Sequence, residues 1–247
     1  TETLPTSWVD VNHRDNEQDG GLAHRARAGR RTQDKMAKRS ATGRWGDHWT
    51  DRAKAEGFSA RSAYKLDEIE RKMRVLPRSG RVLDLGCSPG SWTEYVKRKR
   101  PKCRMVGVDI QETGAYAGHF IQADILELPT QVILDALDGP ADLVLSDMAP
   151  NTTGARLTDH VAQLRLATMA LSVARQVLAP GGSFVVKVFD GEDAQAFTLA
   201  VRKCFTKAKR VRPEATRDQS VEFFFVATGF KAEARLARTL DTEAGDT

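Results

Sequence analysis

Cysteine is scarce in this sequence. Its three copies, Cys87, Cys103 and Cys204, are odd in number and far apart. Such spacing makes neither a disulfide framework nor a Cys-x-x-Cys metal clip. The five histidines are scattered, with no pair at ligand spacing. These absences point to a reduced, cytoplasmic protein without a structural metal. Long apolar runs are missing too. None approaches the roughly 20 residues of a membrane span, and no apolar signal segment stands near the start. No Gly-x-Gly-x-x-Gly occurs, which argues against a cofactor held by its pyrophosphate.

What is present is a chain of 247 residues, 40% of them hydrophobic, enough for one large folded domain with appendages. The formal net charge is +5. Between Leu22 and Arg44 lie eight basic residues against one acid, Asp34. A second cluster runs from Lys97 to Arg104, and a third from Arg202 to Arg212. Singly, each reads as a solvated face. Three on one basic chain point to a phosphate-rich partner.

Residues 1–40 are polar and Gly-rich and read as a basic, disordered arm. Residues 41–230 read as the folded domain and 231–247 as a charged, flexible tail. A short helix is expected over 45–57. A better one spans 59–73, with Ser59 as N-cap and Ala63, Leu66, Ile69 and Met73 at helical spacing; Arg61, Lys65, Glu68 and Lys72 share its polar face. Strands then alternate with helices. Strands are expected at 82–85, 105–109, 120–122, 141–146 and 183–189, with two more at 209–212 and 221–228. Helices are expected at 91–98, 159–178 and 193–205. This alternation gives a parallel sheet with right-handed crossovers.

Such a sheet binds ligands beyond the carboxyl ends of its strands. The loop Gly86-Cys87-Ser88-Pro89-Gly90 lies there, where glycines admit close approach and a helix start offers N–H groups. Asp109 ends the second strand nineteen residues after Gly90, the place for a carboxylate on ribose hydroxyls. Asp124, after the third strand, suits an adenine amino group. A nucleoside without pyrophosphate fits, and S-adenosyl-L-methionine is the expected cofactor, its methionine tail at the glycine loop. A tight turn without a ligand is the competing reading. Trp92 either covers part of the cofactor pocket or packs its helix on the sheet.

Four charged residues interrupt apolar surroundings. Lys187 sits inside Phe184-Val185-Val186-Lys187-Val188-Phe189, and Glu222 inside Val221-Glu222-Phe223-Phe224-Phe225-Val226. Asp147 follows Leu143-Val144-Leu145-Ser146, and Lys65 projects from the polar face of the early helix. Each alone reads as an edge residue reaching water. Two lysines with two carboxylates on converging elements form a set in which every buried charge has a partner.

Several stretches now converge: Arg61-Ser62-Ala63-Tyr64-Lys65-Leu66-Asp67-Glu68-Ile69; Val82-Leu83-Asp84-Leu85-Gly86 with Pro89-Gly90 and Trp92; Ser146-Asp147-Met148-Ala149-Pro150-Asn151; the run from Ala179 to Phe189; and Val226-Ala227-Thr228-Gly229. In register and order they resemble the FtsJ/RrmJ family, the RlmE-type 2′-O-ribose methyltransferases of large-subunit ribosomal RNA. The resemblance covers about residues 42–230. It implies a Rossmann-like, class I S-adenosylmethionine-dependent methyltransferase fold, α/β, with a mostly parallel seven-stranded sheet and helices on both faces. It implies a catalytic Lys65, Asp147, Lys187, Glu222 tetrad. It also implies cofactor contacts at Gly90, Trp92, Asp109, Asp124 and Asp147, beside the loop glycine Gly86, and favours the cofactor reading of Trp92. The expected partner is 23S ribosomal RNA in the large subunit, with a uridine of the peptidyl-transferase region as target, modified late in assembly by a monomer. Cys87, Ser88 and Ser91 depart from the family's Gly-Ala-Ala-Pro-Gly-Gly-Trp loop, and the basic arm is longer than in compact bacterial members.

Methyl transfer to a ribose hydroxyl is an in-line displacement needing alignment and removal of one proton. Lys187 is expected either to take that proton or, staying charged, to steer the hydroxyl. Lys65 and the cationic sulfonium would disfavour its protonation, while Asp147 and Glu222 would hold it in place. Two other functions stay open: the same reaction on transfer RNA, against which only the bacterial style of the motifs speaks, and a non-catalytic RNA-binding assembly factor. The second gives no reason to bury the tetrad.

Overall fold

The computed structural model describes residues 44–191, 194–216 and 221–236. The basic arm expected over 1–40 and most of the expected tail lie outside these residues. The order of elements is α1 (Arg44–Ala55), α2 (Ala63–Met73), β1 (Gly80–Leu85), α3 (Ser91–Lys99), β2 (Cys103–Asp109), β3 (His119–Gln122), α4 (Thr130–Leu137), β4 (Ala141–Ser146), α5 (Arg156–Val177), β5 (Leu178–Phe189), α6 (Ala194–Cys204), β6 (Phe205–Val211) and β7 (Glu222–Phe230). The seven strands form one sheet in the order β3-β2-β1-β4-β5-β7-β6. Neighbours from β3 to β5 are parallel, and β7 runs antiparallel to both β5 and β6.

Period-two alternation explains the layers. Leu83, Val144, Phe184, Val186 and Phe225 face one side, where α4, α5 and α6 cover them. Val82, Leu143, Leu145, Val185, Phe224 and Val226 face the other, under α2 and α3. The central strands are buried on both faces, so they read as nearly continuous apolar runs. Phe184 and Phe205 stack at 6.0 Å within the first layer. Truncating a fully buried side chain such as Leu83 to alanine would cost about 2–5 kcal/mol.

Beyond shifts at strand ends, such as β6 starting at Phe205 rather than at 209, five details differ from the sequence expectation. First, α2 starts at Ala63 with Ser62 as N-cap. Ser59 is not the cap, because its N–H and hydroxyl both donate to Glu94 on α3 (2.9 and 3.2 Å) while residues 60–65 form tight turns. Second, α4 was not foreseen. Third, β5 begins at Leu178, directly after α5; Pro180 cannot donate to the ladder, and the pairing with β4 slips between Ala141 and Leu143. Fourth, α5 starts three residues before Asp159, whose carboxylate accepts the N–H groups of Thr153 and Gly154. Fifth, residues 231–236 pack on the domain: Arg175 donates to the Ala234 carbonyl (2.8 Å), and Arg235 to the Gln176 and Leu178 carbonyls.

The second basic cluster is largely occupied in building. Lys97 donates to the carbonyls of Pro101 and Cys103, Arg104 to that of Ala136, and Arg98 to those of Glu56 and Gly57. The third cluster lies at the end of α6 and on β6, the edge strand, where exposed lysines also discourage edge-to-edge pairing.

Candidate active site

Strand order reverses between β1 and β4, and the register pairs Leu85 with Ser146. The next residues, Gly86 and Asp147, therefore leave the sheet side by side at its carboxyl edge. Gly86 has φ +72°, and a Cβ there would overlap the Met148 side chain. A glycine is required for both reasons.

A cleft of about 1020 Å³ opens at this point. Its lining includes Gly86, Asp109, Asp124 and Asp147, from the ends of β1, β2, β3 and β4, with Ile110, Ile125, Met148 and Pro150 as apolar walls. Asp109 accepts the N–H of Ser88 (2.9 Å) and of Gln111 (2.8 Å), so one carboxylate shapes both loops at the lip. Asp124 accepts the Leu126 N–H (2.9 Å). Three carboxylates at successive strand ends between apolar walls suit a nucleoside with hydroxyls, an amino group and a flat base.

Gly90 and Trp92 do not line this cleft. Gly90 caps α3 with φ +107°. The Trp92 indole is buried, donates to the Ser62 carbonyl (2.8 Å) and packs on Phe224 with centroids 5.7 Å apart. Of the two readings of Trp92, its side chain takes the packing one. Gly90 closes the glycine loop as the cap of α3, and Trp92 lies in the first turn that follows.

The four charged residues come together. Alternation places Asp147 after Leu143 and Leu145, Lys187 after Val185, and Glu222 before Phe224 and Val226, all on the sheet face that α2 covers. Lys187 pairs in register with Phe224, so β5 is an interior strand, flanked by β4 and β7. Its side chain is therefore held inside and does not reach from a rim. Lys187 Nζ stands 3.0 Å from Asp147 Oδ1 and donates to the Asp147 main-chain carbonyl at 2.7 Å. Lys65, on the buried side of α2, forms an ion pair with Glu222, lies 4.0 Å from Asp147 Oδ1 and sits over the Phe224 ring. Lys65, Lys187 and Glu222 are 8%, 5% and 8% exposed. Burial pushes the Asp147 carboxyl up, but the Lys187 and Lys65 ammonium groups outweigh it and hold the group below its ordinary range.

Other polar residues support this centre. Gln163 on α5 donates to the carbonyls of Lys187 (3.0 Å) and Met148 (3.2 Å), tying β5 to the loop after Asp147. Glu68, one turn beyond Lys65, is buried and accepts the Glu214 N–H (2.6 Å), fixing the segment that leads to β7. Ser62 and Ser91 share a hydrogen bond of 2.6 Å between the starts of α2 and α3. Beneath the glycine loop, buried Asp84 accepts the Thr93 hydroxyl (2.9 Å), which in turn meets the Tyr116 hydroxyl at 2.5 Å. Burial pushes the Asp84 carboxyl up to about 7 and raises the neighbouring Cys87 thiol. Apolar flanks hide such residues in the sequence; the only signal for Asp84 was a carboxylate inside Val82-Leu83-Asp84-Leu85.

Residues 58–230 match the FtsJ-like methyltransferase family model. The chain belongs to that family. It is 44% identical over 194 residues to the ribosomal RNA large subunit methyltransferase E of Desulfatibacillum aliphaticivorans, covering 77% of this chain and 93% of the relative. Identity to the protein of the same name from Novosphingobium aromaticivorans is 41% over 207 residues, covering 80% and 93%. A solved ribosomal RNA methyltransferase from Plasmodium falciparum superposes with a TM-score of 0.61 at 25% identity, covering 70% of this chain and 98% of that one. This FtsJ-like protein is thus a methyltransferase with the α/β fold expected from its sequence. No helix among the described residues is long and apolar enough to cross a membrane, and none of their His, Cys, Asp or Glu side chains cluster in threes to hold a metal ion.

Proposed function

We propose that this protein methylates the 2′-hydroxyl of a ribose in 23S ribosomal RNA, a uridine of the peptidyl-transferase region, using S-adenosyl-L-methionine. It acts as a monomer in the cytoplasm, on the assembling large subunit. The observation that carries the reading is the joining of two structures at one sheet edge. A cleft suited to a nucleoside is lined by Asp147, and Asp147 is also a carboxylate of the Lys65, Lys187, Glu222 cluster. The relatives' names support ribosomal RNA as the substrate.

The residues fit the cofactor. Asp109 would hold ribose hydroxyls, Asp124 an amino group, Gly86, Gly90 and the first turn of α3 the amino-acid end, and Asp147 the region beside the reacting carbon. When bound, S-adenosyl-L-methionine supplies a methyl group on a cationic sulfur that leaves as a neutral thioether. Lys187 Nζ, in its neutral form, would accept the proton that the ribose hydroxyl gives up on methylation. Asp147 fixes Lys187 from one side, through both its carboxylate and its main-chain carbonyl. Lys65, anchored by Glu222, places a second positive charge beside Asp147. The target nucleotide must leave its stack to reach this depth.

The test is transfer of a tritiated methyl group to assembled large subunits, free ribosomal RNA and transfer RNA, with the product nucleoside identified. Label on a 2′-O-methylated ribose of large-subunit RNA is expected. Label on transfer RNA alone would overturn the substrate, and label on no RNA would favour a binding factor.

A further inference from the structure

A second concave site lies at the other end of the domain. It has a volume of about 620 Å³ and is formed by the C-terminal halves of α2 and α3 and the segment leading into β1. The parallel strands begin here, whereas the cofactor cleft lies at their carboxyl ends. From Lys65 to Arg74 the chain advances nine residues along α2, about 14 Å at about 1.5 Å per residue. The two sites share no lining residue.

The charge of this site is one-sided. It is lined by the cations Arg71, Arg74, Arg78, Lys99 and Arg100 against two carboxylates, Asp67 and Glu70. Both carboxylates are already engaged. Asp67 accepts the Tyr95 hydroxyl (2.9 Å) and pairs with Arg71 (3.0 Å) and Lys99 (3.9 Å). Glu70 pairs with Arg100 (3.0 Å) and accepts the Leu76 N–H (2.9 Å). Counting formal charges on the lining, five cations and two anions leave +3. Arg74 and Arg78 are exposed at its mouth and pair with no carboxylate among the described residues. Helix dipoles explain part of the pattern, since α2 and α3 both end here and their C-termini attract cations. They do not explain Arg78, which belongs to neither helix, nor the concavity.

We infer that this site holds backbone phosphates of the RNA substrate, several nucleotides away from the ribose being methylated. The inference rests on the proposed RNA substrate. Guanidinium groups suit phosphate by charge and by paired donors, and a second anchor fixes the RNA's register without reading its sequence.

The test pairs Arg74→Asn with Arg78→Gln in one variant, since asparagine tolerates the left-handed φ of +52° at position 74. A companion variant carries lysine at both positions. Cofactor binding by calorimetry shows that each is folded. Binding to transcribed large-subunit RNA is measured against salt, and kinetics on large subunits. The neutral variant is expected to flatten the log K against log salt slope by about 0.7–1.8. Its KM for RNA should rise about tenfold, with the loss in KM far exceeding that in kcat. The lysine variant should recover most of the affinity. If the neutral variant keeps the wild-type slope and KM while the wild type binds and methylates RNA, the site is only a salt-bridged surface and this inference alone fails. If the wild type binds no RNA, the inference and the proposed substrate fail together.

Discussion

Lys187 is held by geometry more than by a single partner. Its strand is interior, its Nζ meets both the carboxylate and the main-chain carbonyl of Asp147, and its own carbonyl is tied by Gln163. A side chain so fixed cannot be replaced by a longer cation. Lys187→Ala and Lys187→Arg should each lower methyl transfer about 10²–10⁴-fold, by loss of positioned proton transfer, while calorimetry shows cofactor binding retained. Near-normal turnover in either variant would remove Lys187 from the role of base. Lys65 makes a contrasting case. Lys65→Met leaves Glu222 in a buried site without its ammonium partner. That should destabilise the fold by about 3–5 kcal/mol, read as a lower urea midpoint, as well as reduce turnover. The double change Lys65→Met with Glu222→Gln should recover most of the stability but not the activity.

At the scale of elements, the sheet edge decides which charges matter, and this also sets what a sequence can reveal. Asp147 and Lys187 were legible because each breaks an apolar strand, and register does the rest. Lys65 was legible only as part of a polar helix face. Its middle is in fact buried, at Lys65 and Glu68, because β7 brings Glu222 under it and Glu68 takes the Glu214 N–H, while Lys72 stays exposed. The helix α4 escaped notice because Thr130-Gln131-Val132-Ile133-Leu134 mixes β-branched and helix-forming residues over barely two turns. Trp92 illustrates the reverse limit: its residue type left cofactor cover and packing equally open and the family resemblance favoured the first, while packing between α2, α3 and β7 takes its side chain. Beneath the same loop, Asp84 gives a pH signature. Its carboxyl titrates near 7 in the folded protein against an ordinary 3.8, because burial penalises its charge. Between these values the folded state holds a proton that the unfolded chain has released, so this group lowers stability as pH rises through that window. Asp84→Asn should flatten the fall of Tm between about pH 4 and 7 and raise Tm at pH 8, measured by calorimetry. An unchanged slope would mean that Asp84 stays ionised throughout.

Among the described residues, cations that bind the fold together stand beside cations that face an open surface, and composition alone does not separate them. Arg98 belongs to the second basic cluster, but its guanidinium caps the Glu56 and Gly57 carbonyls and lies 4.0 Å from the Phe58 ring centroid, clamping the turn between α1 and α2 to α3. Arg74 and Arg78 lie within 24 residues of it in sequence yet face an open concavity. If structural and ligand-facing cations are truly distinct, their removal must have opposite signatures. Arg98→Ala strips two carbonyls of their donor and the Phe58 ring of its guanidinium partner, a loss of about 1–3 kcal/mol. For a domain of this size that corresponds to a Tm lower by about 2–12 °C. The salt dependence of RNA binding should stay at the wild-type slope, because no phosphate contact is lost. A slope that flattens with Arg98→Ala, with Tm unmoved, would place Arg98 on the RNA and reverse the division.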